Sequence, residues 1–115
     1  GNGGVHEWFP VAQADKAKDL GYTYDELMKL SSPRGDVWFE NIPDSRNPGS
    51  VLEGPHSTGA TLPEGQSGRA GSRAHIILSD TLKQATTKAE STSAIKLFIN
   101  KYVRNAQSIL DALQC

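Results

Sequence analysis

From Ser91 to Leu113 the chain reads STSAIKLFINKYVRNAQSILDAL. Ile95, Phe98, Ile99, Tyr102, Val103, Ala106, Ile109, Leu110 and Leu113 recur at steps of three and four, which places them on one face of an α-helix. Lys96, Asn100, Lys101, Arg104, Gln107, Ser108 and Asp111 cover the other side. Neither Gly nor Pro interrupts the run, and Ser91 or Ser93 can cap its start. The stretch predicts one long C-terminal helix over 91–113. A helix of about 20 residues is roughly 30 Å long, the width of a small domain, so everything upstream must pack against it.

The whole chain has 115 residues, enough for a single domain over 1–115 that buries a core without covalent staples. Its formal net charge is −1. That balance provides no general pull toward nucleic acid or a membrane surface, so any basic surface must be local. The only cysteine is Cys115, which excludes an internal disulfide framework and a cysteine-based metal site and reads as an exposed thiol. No apolar stretch is long enough to span a membrane. Gly1-Asn2-Gly3-Gly4 reads as a linker, as at the join of a domain to a longer protein.

Working from the N-terminus, Val5-His6-Glu7-Trp8-Phe9-Pro10 is a short aromatic strand stopped by proline. Val11 to Leu20 carries Val11, Ala14, Ala17 and Leu20 on one helical stripe, and Gly21 terminates it. Thr23 and Glu26 form a capping box for a second short helix with Leu27, Met28 and Leu30. Ser31 to Gly35 reads as a turn, and Arg34-Gly35-Asp36 as a chance tripeptide rather than an adhesion motif. Asp36 to Asn41, centred on Val37-Trp38-Phe39, is the strongest strand signal. From 42 to 72 prolines alternate with glycines, and only Val51-Leu52 and Thr61-Leu62 look strand-like. This segment predicts one long, ordered Gly/Pro-rich loop, a type of loop that commonly carries function. His75-Ile76-Ile77-Leu78 reads as a short strand or the start of a helix, and a helix from Ser79-Asp80 breaks near Thr86-Thr87. The sum is an α+β domain: a small antiparallel sheet on a long C-terminal helix, with the 42–72 loop beside it.

Histidines are the sharpest chemical candidates. His6, His56 and His75 all sit beside strands or loops in this reading. Imidazole titrates near neutrality and ligates metals, so a converging pair or trio can perform acid–base or metal chemistry. Their spacing matches no ligand ladder. Arg69 and Arg73, in the run Ser67-Gly68-Arg69-Ala70-Gly71-Ser72-Arg73, and Arg46 earlier in the loop are candidates for gripping phosphate oxygens. The segment is not a phosphate-binding P-loop, because Gln66-Ser67 stands where a Lys and hydroxyl pair is required. Glu7 follows His6 directly, and neighbours on a strand point to opposite faces. Trp8, Phe9, Trp38 and Phe39 read as core against the C-terminal helix.

Three short strings, His6-Glu7-Trp8-Phe9-Pro10, Leu20-Gly21-Tyr22 and Gly71-Ser72-Arg73-Ala74-His75, resemble parts of the His-Me finger (HNH-type) nuclease domains at the C-termini of bacterial polymorphic and contact-dependent toxins. The resemblance covers under a fifth of the chain. It departs from the family in having Glu7 after His6, where an acid or a second His usually precedes the His. It departs again in having Ser79 where a second ligand on the helix of His75 would stand. It implies a nuclease in which His6 activates water and His75 ligates a divalent metal, Mg or Zn, at the scissile phosphate. It also implies delivery into a target cell as part of a larger, secreted protein, and an inhibitor (immunity) protein as partner.

The residues themselves leave a second version open: a metal-free ribonuclease with His56 and His75 as general base and acid and Arg69 or Arg73 stabilising the phosphorane-like charge. In either version nucleic acid, RNA or DNA, is the substrate. A different class is a non-enzymatic interaction module built around the 42–72 loop. A third, a metal-dependent hydrolase of peptide or cell wall, needs all three histidines on one ion. Geometry separates them: an enzyme brings at least two histidines to one point with Arg or Lys beside it, and an interaction module leaves them scattered.

Overall fold

The structure, a computed structural model, describes residues 5–10, 13–56 and 69–113. The linker-like residues 1–4, the Thr61-Leu62 strand piece and Cys115 lie outside them. β1 (Val5–Glu7) pairs antiparallel with β2 (Ser31–Pro33), with His6 opposite Ser32. The stretch expected to be a turn is thus largely a strand, continued by a 3₁₀ turn over Arg34–Asp36. β1 continues into Trp8, whose indole Nε1 donates to Ser32 Oγ (2.9 Å) and whose backbone N–H donates to Leu30 O (2.8 Å).

Between these strands run α1 (Ala14–Leu20) and α2 (Tyr24–Lys29). Gly21 ends α1 with φ +96°, a left-handed conformation that glycine adopts without steric cost. Thr23 accepts from the Glu26 N–H while Glu26 accepts from the Thr23 N–H, so the expected capping box is present. Thr23→Ala is expected to lower the unfolding free energy by about 1 kcal/mol. Urea denaturation would read this as a lower midpoint with an unchanged slope.

β3 (Trp38–Pro43) and β4 (Val51–Pro55) form a separate antiparallel hairpin. Its register shifts between Phe39 and Ile42, and Asn41 there has φ +61°. Residues three apart on a regular strand face opposite sides. The irregularity turns both Phe39 and Ile42 inward, where each is buried. The connecting turn is self-contained: Asp44 N–H donates to Ser50 O, Ser50 N–H to Asn47 O, and Gly49 takes φ +94°.

The long 42–72 loop is therefore corrected. Its described part is half of a hairpin and the first turn of a helix; residues 57–68 lie outside the description. Proline misled because Pro43 and Pro55 both close strands, positions where a missing N–H is tolerated. α3 (Arg69–Lys83) begins ten residues before the Ser79-Asp80 start expected from sequence and has His75 in its interior. Small residues Ala70, Gly71 and Ala74 are buried where it crosses the β3–β4 hairpin, and Leu78 and Leu82 continue that face.

The continuous C-terminal helix is also corrected. It is two helices, α4 (Lys88–Tyr102), capped by Thr87 rather than Ser91 or Ser93, and α5 (Ala106–Leu113). Between them Val103 is extended and bridges Phe39, Arg104 N–H donates to Trp38 O (2.8 Å), and Asn105 sits at φ +59°. The edge of β3 supplies backbone partners that compete with helical ones. Arg104 fixes the corner by lying over the Trp38 ring (4.9 Å) and reaching Glu40 and Glu53. Ile95, Phe98, Ile99 and Tyr102 of α4 remain the centre of one hydrophobic core that also takes in Trp8, Phe39, Ile42, Leu78, Leu82 and Ile109. Tyr22 ties α1 to this core, its hydroxyl 2.6 Å from both Ser91 Oγ and Thr92 Oγ1. The fold is α+β, with two small antiparallel ladders among the described residues in place of one sheet.

Candidate functional site

Strand alternation puts His6 and Trp8 on the inward face of β1, with their rings 4.2 Å apart between centroids. The β3–β4 hairpin ends at the Trp38–Pro55 pair, and His56 is the next residue. α3, lying across that hairpin, adds His75. Three separate elements thus deliver the three histidines to one place. His6 is the hub: its centroid is 4.3 Å from that of His56 and 6.3 Å from that of His75. Trp8 and Phe39, the latter 6.0 Å from His6, wall the cluster.

Exposure is graded across it. His6 is 3% exposed, His56 is half-buried and His75 is exposed. His75 stands on the flank of a helix, in the interior of α3 rather than at the short strand or helix start expected there. His75 is thus the outermost of the three rings and His6 the innermost. Rings 4.3 Å apart touch and admit nothing between them. A phosphoryl group must be met from its open side, by groups that each approach an oxygen within about 3 Å.

The arginines are arranged differently. Arg69, at the start of α3, is ion-paired with Asp44. Arg46 is exposed in the hairpin turn, at the opposite end of β4 from His56, roughly 17 Å along a five-residue strand. Arg73 lies one helical turn from Arg69 and about 200° around α3 from His75. Its Nε is buried without a hydrogen-bond partner among the described residues. The structure thus gathers the predicted histidines but sets the predicted arginines along the other edge of α3 and in the turn.

Asp44 organises that second edge. The Arg46 backbone N–H (2.9 Å), and after it the Arg69 guanidinium, hold its carboxyl below the usual carboxylate range. Glu26 is lowered by Lys88 and by the Thr23 N–H, and Glu90 by the Thr86 N–H and hydroxyl. A carboxylate with a depressed folded pKa adds stability that is complete above its ordinary value, near 4, and is lost as pH falls through the folded value. Thermal midpoints should therefore drop on acidification below about pH 4. Asp44→Asn should start lower at neutral pH and lose less over the same interval.

No group of three or more His, Cys, Asp or Glu side chains among the described residues is placed to hold a metal ion. Among the described residues the donors thus do not form the three-ligand site that the peptide- or cell-wall-hydrolase reading requires. Two surface hollows among the described residues lie elsewhere. One, of about 250 Å³, is between β2 and the start of α5 at Ser32, Asp36, Asn105 and Ser108. The other, of about 180 Å³, is between α1 and α2 at Phe9, Ala14, Leu27 and Met28. No helix among the described residues is long and apolar enough to cross a membrane.

Sequence reasoning named the three histidines but missed their aromatic surroundings. It assigned Trp8 and Phe39 wholly to the core, where they also serve as the walls of the cluster. Period-2 alternation from His6 to Trp8 was the available signal for the first of them. The chain matches no protein-family model, no curated protein and no solved structure.

Proposed function

We propose that this domain is a toxin-type nuclease that cleaves RNA without a metal, with His56 and His75 as the acid–base pair at the scissile phosphate. The observation that supports this reading is the convergence of His6, His56 and His75 from β1, the end of β4 and α3. The two outer imidazoles are the ones a polymer can touch. One takes the proton of the ribose 2′-hydroxyl as its oxygen attacks phosphorus; the other gives a proton to the departing 5′-oxygen as the P–O bond breaks. RNA rather than DNA follows from the nucleophile. Without a metal to generate hydroxide, the substrate must carry its own attacking hydroxyl. The resemblance to toxin nucleases supplies the setting: part of a larger delivered protein, held in check by an inhibitor protein over the histidine cluster.

The test is cleavage of purified RNA, tRNA and plasmid DNA with and without a chelator. Cleavage of RNA that ignores the chelator, with a bell-shaped dependence of kcat/KM on pH, is the expected result. Chelator-sensitive cleavage of DNA would overturn the metal-free mechanism in favour of the His-Me finger version. A second reading, the non-enzymatic interaction module, is favoured by one observation: Arg69 is paired with Asp44 and Arg73 lies on the far edge of α3, away from His75. A folded protein that cleaves none of the three substrates would overturn the nuclease reading and leave the interaction module in front.

A further inference from the structure

α2 is a capped helix that buries none of its own residues. Its apolar side chains, Tyr24, Leu27 and Met28, fall at steps of three and four and share one face. An amphipathic helix ordinarily turns that face to the core. Here the residue tied to the body of the fold is on the other side: Glu26 is ion-paired with Lys88 at the start of α4. Leu27 reaches the edge of the core, while Tyr24 is 75% and Met28 42% exposed. All three line the hollow of about 180 Å³ between α1 and α2, whose floor is the buried pair Phe9 and Ala17. Ala14 and Ala17 are the residues α1 presents there, and their short side chains leave the space unfilled.

We infer that this hollow is a protein-docking site whose occupant is a segment presenting one large apolar side chain beside a Lys or Arg. Size decides against a whole small ligand. Pockets for such ligands run to about 300–1,000 Å³, and this one has room for a single side chain. Charge sets the rest. Among the described residues Glu7 is the only charged one that lines the hollow. The exposed charges next to the lining residues in sequence, Asp15 and Lys18 on α1 and Asp25 and Lys29 on α2, balance in sign. Glu7 therefore gives the hollow its sign, and a cation beside the inserted side chain complements it. An apolar anchor in a pocket with a charged rim is how protein contacts are commonly built. Glu7 and Phe9 alternate along the chain with His6 and Trp8, which puts the hollow on the opposite side of this strand from the histidine cluster. Docking here is thus independent of RNA cleavage.

The experiment adds blocked dipeptides to the whole, isotope-labelled protein and follows the NMR signals of Ala14, Leu27 and Met28. Acetyl-Phe-Arg-amide should shift them saturably. Acetyl-Ala-Arg-amide should bind at least about tenfold more weakly, for want of the buried ring. Acetyl-Phe-Glu-amide should bind about two- to fivefold more weakly, the range of a solvent-exposed charge pair. Glu7→Gln should remove the preference for Arg over Glu and keep the preference for Phe over Ala. Met28→Lys, at an exposed helical position, should abolish binding of the Phe-Arg peptide with an unchanged circular dichroism spectrum. No saturable shift at these residues, or equal affinity for the Arg and Glu peptides, would overturn the inference. Tighter binding of phenethylammonium than of any dipeptide would make the hollow a small-cation site and overturn it too. Shifts of the same signals with protein concentration alone would assign the hollow to a second copy of this chain, with the same consequence.

Discussion

Replacing His56 or His75 by alanine is expected to lower RNA cleavage by about 10²- to 10⁴-fold, the contribution of one positioned general acid or base. His75 is exposed on the flank of α3, so its truncation leaves the core closed, whereas His56 is half-buried at the end of the hairpin and its truncation removes a ring contact with His6 and Phe39. Circular dichroism should stay close to that of the parent for both, and the unfolding midpoint should stay close for His75→Ala and fall modestly for His56→Ala. The loss should fall on kcat more than on KM, because proton transfer is made in the transition state and not in binding. Removing both should cost little more than removing one, since the two act on the same reaction coordinate. A double variant that retains most of the parent activity would show that the chemistry resides elsewhere. His6→Ala acts differently: it empties a buried site, so its effect on stability has to be measured before its effect on rate is interpreted.

Trp8→Ala should have the largest effect on stability. Trp8 is fully buried, contacts Phe98 and His6, and donates its indole N–H to Ser32. Truncating a buried tryptophan typically costs about 3–5 kcal/mol through lost burial and the cavity left behind. Against a total of about 5–15 kcal/mol for a native domain, that is a large fraction. Trp8→Phe separates the two contributions. It keeps most of the ring and loses only the hydrogen bond and some volume, for a cost nearer 1–2 kcal/mol. Urea denaturation of the three proteins would read both values. A Trp8→Ala protein within about 1 kcal/mol of the parent would contradict the burial of this side chain and the wall it gives the histidine cluster.

What could be read from residues alone was local. The Thr23–Glu26 box, the Gly21 terminator and the break near Thr86-Thr87 depend on neighbours within a few positions, and all three are present. The apolar face of 91–113 identified the core residues Ile95, Phe98, Ile99, Tyr102, Val103 and Ile109, and all are buried. The α+β class followed from the order of strand and helix signals. His6, His56 and His75 were recognisable as candidates because imidazole chemistry is a property of the residue type.

What only the tertiary structure decided involves partners distant in sequence. Val103 leaves the helical conformation because Phe39, more than sixty positions earlier, offers a strand edge; no Gly or Pro marks the place. Residues 42–56 supply the turn and second strand of a hairpin where proline and glycine content suggested a loop, because Pro43 and Pro55 fall at strand ends, Pro48 falls in the turn, and the bulge at Asn41 restores an inward face. The histidines meet through the crossing of α3 over that hairpin, while helical geometry carries Arg73 away from His75 although only one residue separates them. Residue type and spacing encode what a side chain can do and which local backbone it favours. The distance between His6 and His56 is a consequence of packing, set by which faces the whole chain can bury at once.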